Sequence, residues 1–147
     1  MRALGIDLGA KRIGVAVCDS AGTVATPLCT VARCGDRRRE HAEIAELAAE
    51  WEAEAVVVGL PISLDGTRGP AAKAAEAEIR KLRSAVGVAV AAYDERLTTV
   101  SAERSLMHQS LKGSAKRKAI DSLAAAVMLQ SWLDADCPVS SLHAVDA

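Results

Sequence analysis

Residues 3–18 read A-L-G-I-D-L-G-A-K-R-I-G-V-A-V-C, and their pattern decides the fold. Residues 2–8 and 12–18 each have the apolar, β-branched character of a strand. The G-A-K-R link between them is too short for anything but an antiparallel hairpin. Asp7 stands inside the first strand, where an apolar or small residue belongs. A carboxylate enters such surroundings when something offsets its desolvation, and a divalent cation shared by several carboxylates is one such partner. The competing reading is a buried acid satisfied by backbone N–H groups.

Working outward, the turn Asp19-Ser20-Ala21-Gly22 leads into a third strand over 24–31, and Pro27 within it demands an edge position or a bulge. At 36–51 the period becomes helical: Ile44, Leu47, Ala48 and Trp51 form one stripe, with Arg and Glu on the other face. The continuous apolar run A-V-V-V-G-L before Pro61 reads as a central parallel strand covered on both faces. Pro70 opens a second helix with a buried stripe of Ala72, Ala75, Ile79, Leu82 and Val86, and Gly87 is expected to stop it. A fifth strand follows over 88–93. Thr98 or Thr99 caps a short helix, 108–115 reads as a mobile loop, and the last helix spans about 116–133. The order β-β-β-α-β-α-β-α-α predicts an α/β fold, a mixed five-stranded sheet with helices on both faces. It forms one domain over residues 1–134, with a loosely ordered tail over 135–147.

In open α/β sheets chemistry gathers at the carboxyl ends of parallel strands. Asp7 lies near the end of the first strand and Glu95 just past the fifth. Asp121, one turn into the last helix, is placed to face the same point. Three converging carboxylates repel one another without a cation. One or two Mg2+ or Mn2+ ions neutralise them, activate a water and stabilise the attacking and leaving oxygens at phosphorus. These hard cations prefer oxygen ligands, which accounts for acids rather than histidines. The alternatives are structural: Glu95 pairing with Arg96 or Arg12, Asp121 as an acid favoured by the helix N-terminus, and Asp94 competing with Glu95 as a strand-end cap. Gly5 and Gly9 flank Asp7 and are expected to leave room for a phosphate. The loop holding Ser63, Asp65, Gly66 and Arg68 is expected to border the site. His41, His108 and His143 fall in a helix, a loop and the tail, with no Ser-His or Cys-His pair evident.

A formal charge of -1 neither favours nor excludes nucleic acid; what matters is local positive charge. Three clusters supply it: Lys11-Arg12, Arg37-Arg38-Arg39, and Lys112 with Lys116-Arg117-Lys118. The bland reading of each is a solvated face. The cysteines at 18, 29, 34 and 137 contain no C-x-x-C pair, so no zinc site is indicated. Cys18 reads as a core residue, and Cys29 and Cys34 can reach each other across a bend. No signal-peptide core or transmembrane run is seen, and a reducing cytoplasm is the expectation. A two-domain actin-like ATPase is disfavoured, because 147 residues carry only one D-x-G strand-hairpin unit.

Four motifs together resemble the YqgF/RuvX family of pre-16S rRNA nucleases, also described as Holliday-junction-resolvase-like. They are G-I-D-L-G-x-K-R-I-G-V-A at 5–16, V-V-G-L-P-x-x-L-D-G-T at 57–67, D-E-R-L-T-T at 94–99, and K-R-K-A-I-D-S-L-A-A-A around Asp121. The resemblance implies a ribonuclease-H-like fold and an acidic metal site of Asp7, Glu95 and Asp121. It implies substrate contacts at Lys11, Arg12, Arg96 and Lys118, to which the basic run adds Lys116 and Arg117 and the glycine-bearing loop adds Arg68. The implied activity is metal-dependent phosphodiester hydrolysis that matures the 5′ end of pre-16S rRNA within a pre-ribosomal particle. A resolvase acting on branched DNA and a non-catalytic rRNA-binding assembly factor are the alternatives. With almost no aromatic residues for base stacking, recognition is expected to rest on structured RNA shape and phosphates, by a monomer or weak homodimer.

Overall fold

The computed structural model describes residues 1–61, 67, 69–94 and 114–135, with side chains of the last helix described from Lys118 onward. Five strands form one sheet: β1 (Ala3–Leu8), β2 (Arg12–Cys18), β3 (Ala25–Ala32), β4 (Ala55–Leu60) and β5 (Ala89–Asp94). Their order is β3-β2-β1-β4-β5. The first three run antiparallel to one another, as short links dictate, and β4 and β5 add parallel to β1 after helical crossovers. Strand β3 is the edge strand that Pro27 requires. Its register with β2 shifts between Val15 and Ala16, where Pro27 lies opposite Ala16 and has no N–H to give the ladder.

The helices divide between the two faces. Helices α1 (Arg37–Glu50) and α2 (Pro70–Ala85) cover one of them. There Leu4, Ile6, Ile13, Val15, Val56 and Val58 meet Ile44, Ile79 and Leu82, all at most 1% exposed. The expected α2 stripe is buried throughout, Val86 included. Helix α2 ends before Gly87: Val86 is its C-cap, and the Val86 N–H donates to the Leu82 carbonyl. The α1 stripe is deepest at Ile44 and Ala48, with Leu47 and Trp51 half-buried.

Helix α3 (Ser114–Asp134) lies on the other face, the one helix there among the described residues. It packs Ala125, Met128, Leu129 and Trp132 against Ala3, Ala16, Ala55 and Val57. The strand residues here are small, which lets the helix backbone come close. A Cβ added to Gly5 would lie 2.8 Å from Leu129 Cβ and 3.0 Å from the Ala125 carbonyl oxygen. The Ala-rich run at 124–126 serves the same close contact from the helix side.

The start of the last helix differs from the sequence reading. Ser114 and Ala115 belong to α3 rather than to the preceding loop, so Asp121 stands two turns into the helix instead of one. That depth removes the helix-start explanation for its acidity, since exposed N–H groups are confined to the first turn. The expected short helix after Thr98, residues 108–113 and the tail beyond Ala135 lie outside the described residues.

Candidate active site

The site is built from one register relation. Asp7 on β1 lies directly opposite Gly14 on β2. Directly opposed residues of an antiparallel pair present their side chains to the same face. A Cβ on Gly14 would lie 2.2 Å from the Asp121 carbonyl oxygen. Asp7 and Gly14 therefore share the α3 face at the carboxyl edge of β1, and the α3 backbone at Asp121 packs directly onto Gly14 there. Both acids are buried, Asp7 at 4% and Asp121 at 7% exposure. Asp94 closes β5 at the same edge.

Arg12, two residues before Gly14, shares this face. Its Nε donates to Asp121 Oδ2 at 2.8 Å, and the pair is largely shielded. Arg12 is thus engaged with an acid of the site, a partner the sequence reading had assigned to Glu95 in its structural alternative. Lys11 is exposed in the β1–β2 turn and Lys118 is exposed on α3. Lys116 and Arg117 lie in the first turn of α3, with side chains outside the described set. Glu95, Arg68 and Arg96 lie outside the described residues, as do Ser63, Asp65 and Gly66.

The flanking glycines have other duties than the expected phosphate access. Gly5 admits α3, as its contacts with Leu129 and Ala125 show. Gly9 closes the hairpin: its N–H donates to the Arg12 carbonyl at 3.0 Å, and a Cβ would lie 2.4 Å from that oxygen.

Beneath the hairpin turn is a buried ionic network that the motifs did not signal. Arg33, just past β3, donates from Nε to the Gly9 carbonyl at 3.0 Å, and Lys11 accepts from the Arg33 backbone N–H. The same guanidinium donates to Glu40 Oε1 at 2.8 Å and, through two nitrogens, to Glu78 at 2.6 and 3.1 Å. His41 Nε2 shares a hydrogen bond with Glu78 at 2.9 Å, and the Cys34 N–H donates to Glu40. Burial works against charge on Glu78, but the hydrogen bonds from Arg33 and His41 and the Arg33 and Arg37 charges outweigh it. Its carboxyl is held below the usual range. Glu40 is lowered by the same contest of burial against Arg33 and Cys34. Glu40 was expected on the polar face of α1; it and His41 are both 3% exposed because Arg33 and α2 pack over them. A signal was available. Glu78 interrupts the apolar stripe of α2 between Ala75 and Ile79, the same misfit that marks Asp7.

Cys18 is buried, as read, and its Sγ accepts from the Ala3 N–H at 3.1 Å. Cys29 and Cys34 are both free thiols. Burial, with the charges of Glu43 and Glu50, pushes the Cys29 thiol up.

Asp7 and Asp121 offer hard carboxylate oxygens, and Asp121 already holds a cationic group at 2.8 Å in Arg12. This donor chemistry fits a hard divalent ion such as Mg2+ or Mn2+. Among the described residues no group of three His, Cys, Asp or Glu side chains gathers as a metal cluster. Among them, too, no helix is long and apolar enough to cross a membrane.

Comparison with known proteins agrees with this architecture. A family described as "RuvX: Holliday junction resolvase" matches residues 1–135. A protein of Anaeromyxobacter dehalogenans described as "Putative pre-16S rRNA nuclease" is 44% identical over 138 residues, 94% of this chain and all of the relative. One of Nocardia farcinica with the same description is 47% identical, covering 90% of this chain and 77% of its own length. Among solved structures, Thermus thermophilus RuvC in complex with a Holliday junction substrate superposes with a TM-score of 0.58. It is 21% identical and covers 94% of this chain and 96% of its own, which bears on the fold: the five-stranded ribonuclease-H-like sheet with helices on both faces. By the extent of the family match and the identity to these relatives, the chain belongs to the YqgF/RuvX family.

Proposed function

We propose that this protein is a divalent-cation-dependent phosphodiester hydrolase that processes the 5′ end of pre-16S rRNA. The observation that carries the reading is that two buried acids flank one position: Asp7 lies opposite Gly14, and the backbone of Asp121 packs onto Gly14. The descriptions of the relatives supply the substrate. Glu95 is proposed as the third acid, supported by its place in the chain directly after Asp94, which ends β5 at this edge.

Asp7, Asp121 and Glu95 would hold one or two Mg2+ or Mn2+ ions, whose chemistry is to lower the pKa of water and neutralise charge developing at phosphorus. The protein's own part is orientation. Asp7 is fixed by a central strand paired on both sides, to β2 and β4. Asp121 is fixed by α3 and by the Arg12 guanidinium, which among the described residues bonds through Nε, its other nitrogens being offered to a substrate phosphate. Lys11 and Lys118, both exposed, are placed as point charges for the flanking backbone. Arg68, Arg96, Lys116 and Arg117 are proposed as further backbone contacts.

The test compares the wild type with Asp7→Asn and Asp121→Asn on precursor rRNA and on a four-way DNA junction, in Mg2+, Mn2+ or chelator. Metal-dependent RNA cleavage lost in both folded variants is the expected result. Cleavage indifferent to both substitutions removes the proposed site. The family description favours one second reading, junction resolution, which preferential symmetric cutting of the DNA would establish.

A further inference from the structure

The run Arg37-Arg38-Arg39 has no part in the acidic site, yet the fold places it where it borders a cavity. Helix α1 begins at the edge reached by the end of β3, and its N-terminus is capped by Asp36, whose Oδ1 accepts from the Arg38 and Arg39 N–H groups at 3.1 and 3.4 Å. Between this first turn and the last turns of α2 lies a cavity of about 730 Å3. Arg37, Arg38, His41, Lys81 and Ser84 contribute to its walls. A second cavity, of about 360 Å3, is lined by Gly9, Ala10, Arg33 and Glu40, and the two share Gly35 and Arg37. The two adjoin through these shared residues, one at the hairpin turn two residues past Asp7 and the other in the groove between α1 and α2, and together they form a depression on this side of the molecule.

Charge along this depression is unequal in depth. Glu40, which lines the smaller cavity, and Glu78 are both buried and engaged by Arg33 and His41, and Arg37 reaches Glu78 only at 4.0 Å. At its mouth Asp36 is the one lining carboxylate besides Glu40, and it is engaged as the helix cap. Arg38 and Lys81 are exposed and form no ion pair among the described residues. The two glutamates are therefore buried and paired, and Arg38 and Lys81 face solvent.

We infer that this depression is a second binding site for polynucleotide backbone phosphates, held by Arg37, Arg38 and Lys81. It continues the substrate path from the acidic centre over the β1–β2 turn onto the α1–α2 face. The inference rests on the nuclease reading above and adds to it a remote anchoring site. Three phosphate contacts at this distance bind without taking part in the reaction, so they govern affinity and salt dependence, not the chemical step.

The experiment measures fluorescence anisotropy of a labelled precursor rRNA fragment from 50 to 200 mM salt, in chelator. The wild type is compared with Arg37→Ala/Arg38→Ala/Lys81→Ala and with a control, Lys73→Ala/Arg80→Ala, on exposed positions of α2. Losing three contacts to a single strand lowers the logarithmic salt slope by about 2 and weakens binding about tenfold or more at low salt. The single-turnover cleavage rate at saturating enzyme stays at the wild-type value. A companion measurement needs no variant: bound RNA protects Lys81, but not Lys73, from acetylation. A triple variant that binds like the control, or equal acetylation of the two lysines in the complex, overturns the inference while wild-type cleavage leaves the nuclease reading standing. A wild type that neither binds nor cuts RNA or junction DNA overturns both.

Discussion

Gly14→Ala tests the geometry of the acidic site without touching an acid. The new Cβ would stand 2.2 Å from the Asp121 carbonyl oxygen and 2.7 Å from its carbonyl carbon, against an ordinary contact of 3.4 Å or more. The obstacle is backbone on both sides. Strand β2 is held by ladders to β1 and β3, and α3 is held by the buried Leu129 and Trp132. Strand and helix must separate by about 1 Å, an overpacking that costs about 1–3 kcal/mol. A domain stable by about 5–15 kcal/mol survives this. Asp121, however, moves away from Asp7, and a misplacement of about 1 Å in a reacting constellation costs about 100-fold in rate. Urea denaturation and single-turnover cleavage are measured together, with Gly87→Ala as the control, since a Cβ there meets nothing within 4 Å. The expected outcome is a folded, less stable variant with cleavage reduced about 100-fold. A Gly14→Ala protein of wild-type activity, or one whose lost activity only matches its unfolded fraction, refutes the geometry.

Arg12→Ala leaves Asp121 buried without its guanidinium, lowering stability by about 1–3 kcal/mol. Added Mg2+ should then raise the melting temperature of the variant more than that of the wild type, and equal shifts would argue against a cation at Asp121. Glu78→Ala strips Arg33 and His41 of a shared buried partner and costs about 3–5 kcal/mol, read by urea denaturation. A loss under about 1 kcal/mol would show that the network is dispensable. For pH, Glu40 and Glu78 have folded-state pKa values below their ordinary ones, so both bind protons more readily when unfolded. Their stabilisation is complete above about pH 4.5, the unfolded range, and is lost as pH falls through the folded values. Asp19 extends the loss downward: the Thr23 hydroxyl and the Thr23 and Val24 N–H groups hold it at about 2. A denaturation midpoint flat from pH 6 to 5 and falling below 4.5 is expected; a midpoint that rises on acidification contradicts the network's ionic state.

Much of this fold is legible in local pattern. The hairpin followed from a link too short to cross over, the β3 edge position from Pro27, and the central strand from the unbroken run Ala55–Leu60. Asp7 and Asp121 were visible as acids in apolar surroundings. Other features were not legible because they depend on which faces meet. Gly5 looked like space for a phosphate, but its partner is α3, more than 100 residues away in the chain. Arg12 looked like a substrate contact, and its observed partner is Asp121. The burial of Glu40 and His41 was not legible because helical periodicity on α1 alone does not show that Arg33 and α2 close over them.

The sequence by itself determined the element order, the sheet connectivity and the identity of the misfit acids, because strand alternation, turn length and proline geometry act over a few residues. Only the tertiary structure decided that Gly14, opposite Asp7, is where the α3 backbone at Asp121 packs. It alone decided that Arg33 ties the hairpin turn to two buried glutamates, and that Arg37 lines both the cavity at that turn and the one between α1 and α2. Those relations arise from packing a helix onto small sheet residues and from enclosing charges away from water. Each depends on partners distant in the chain, and no local period encodes them.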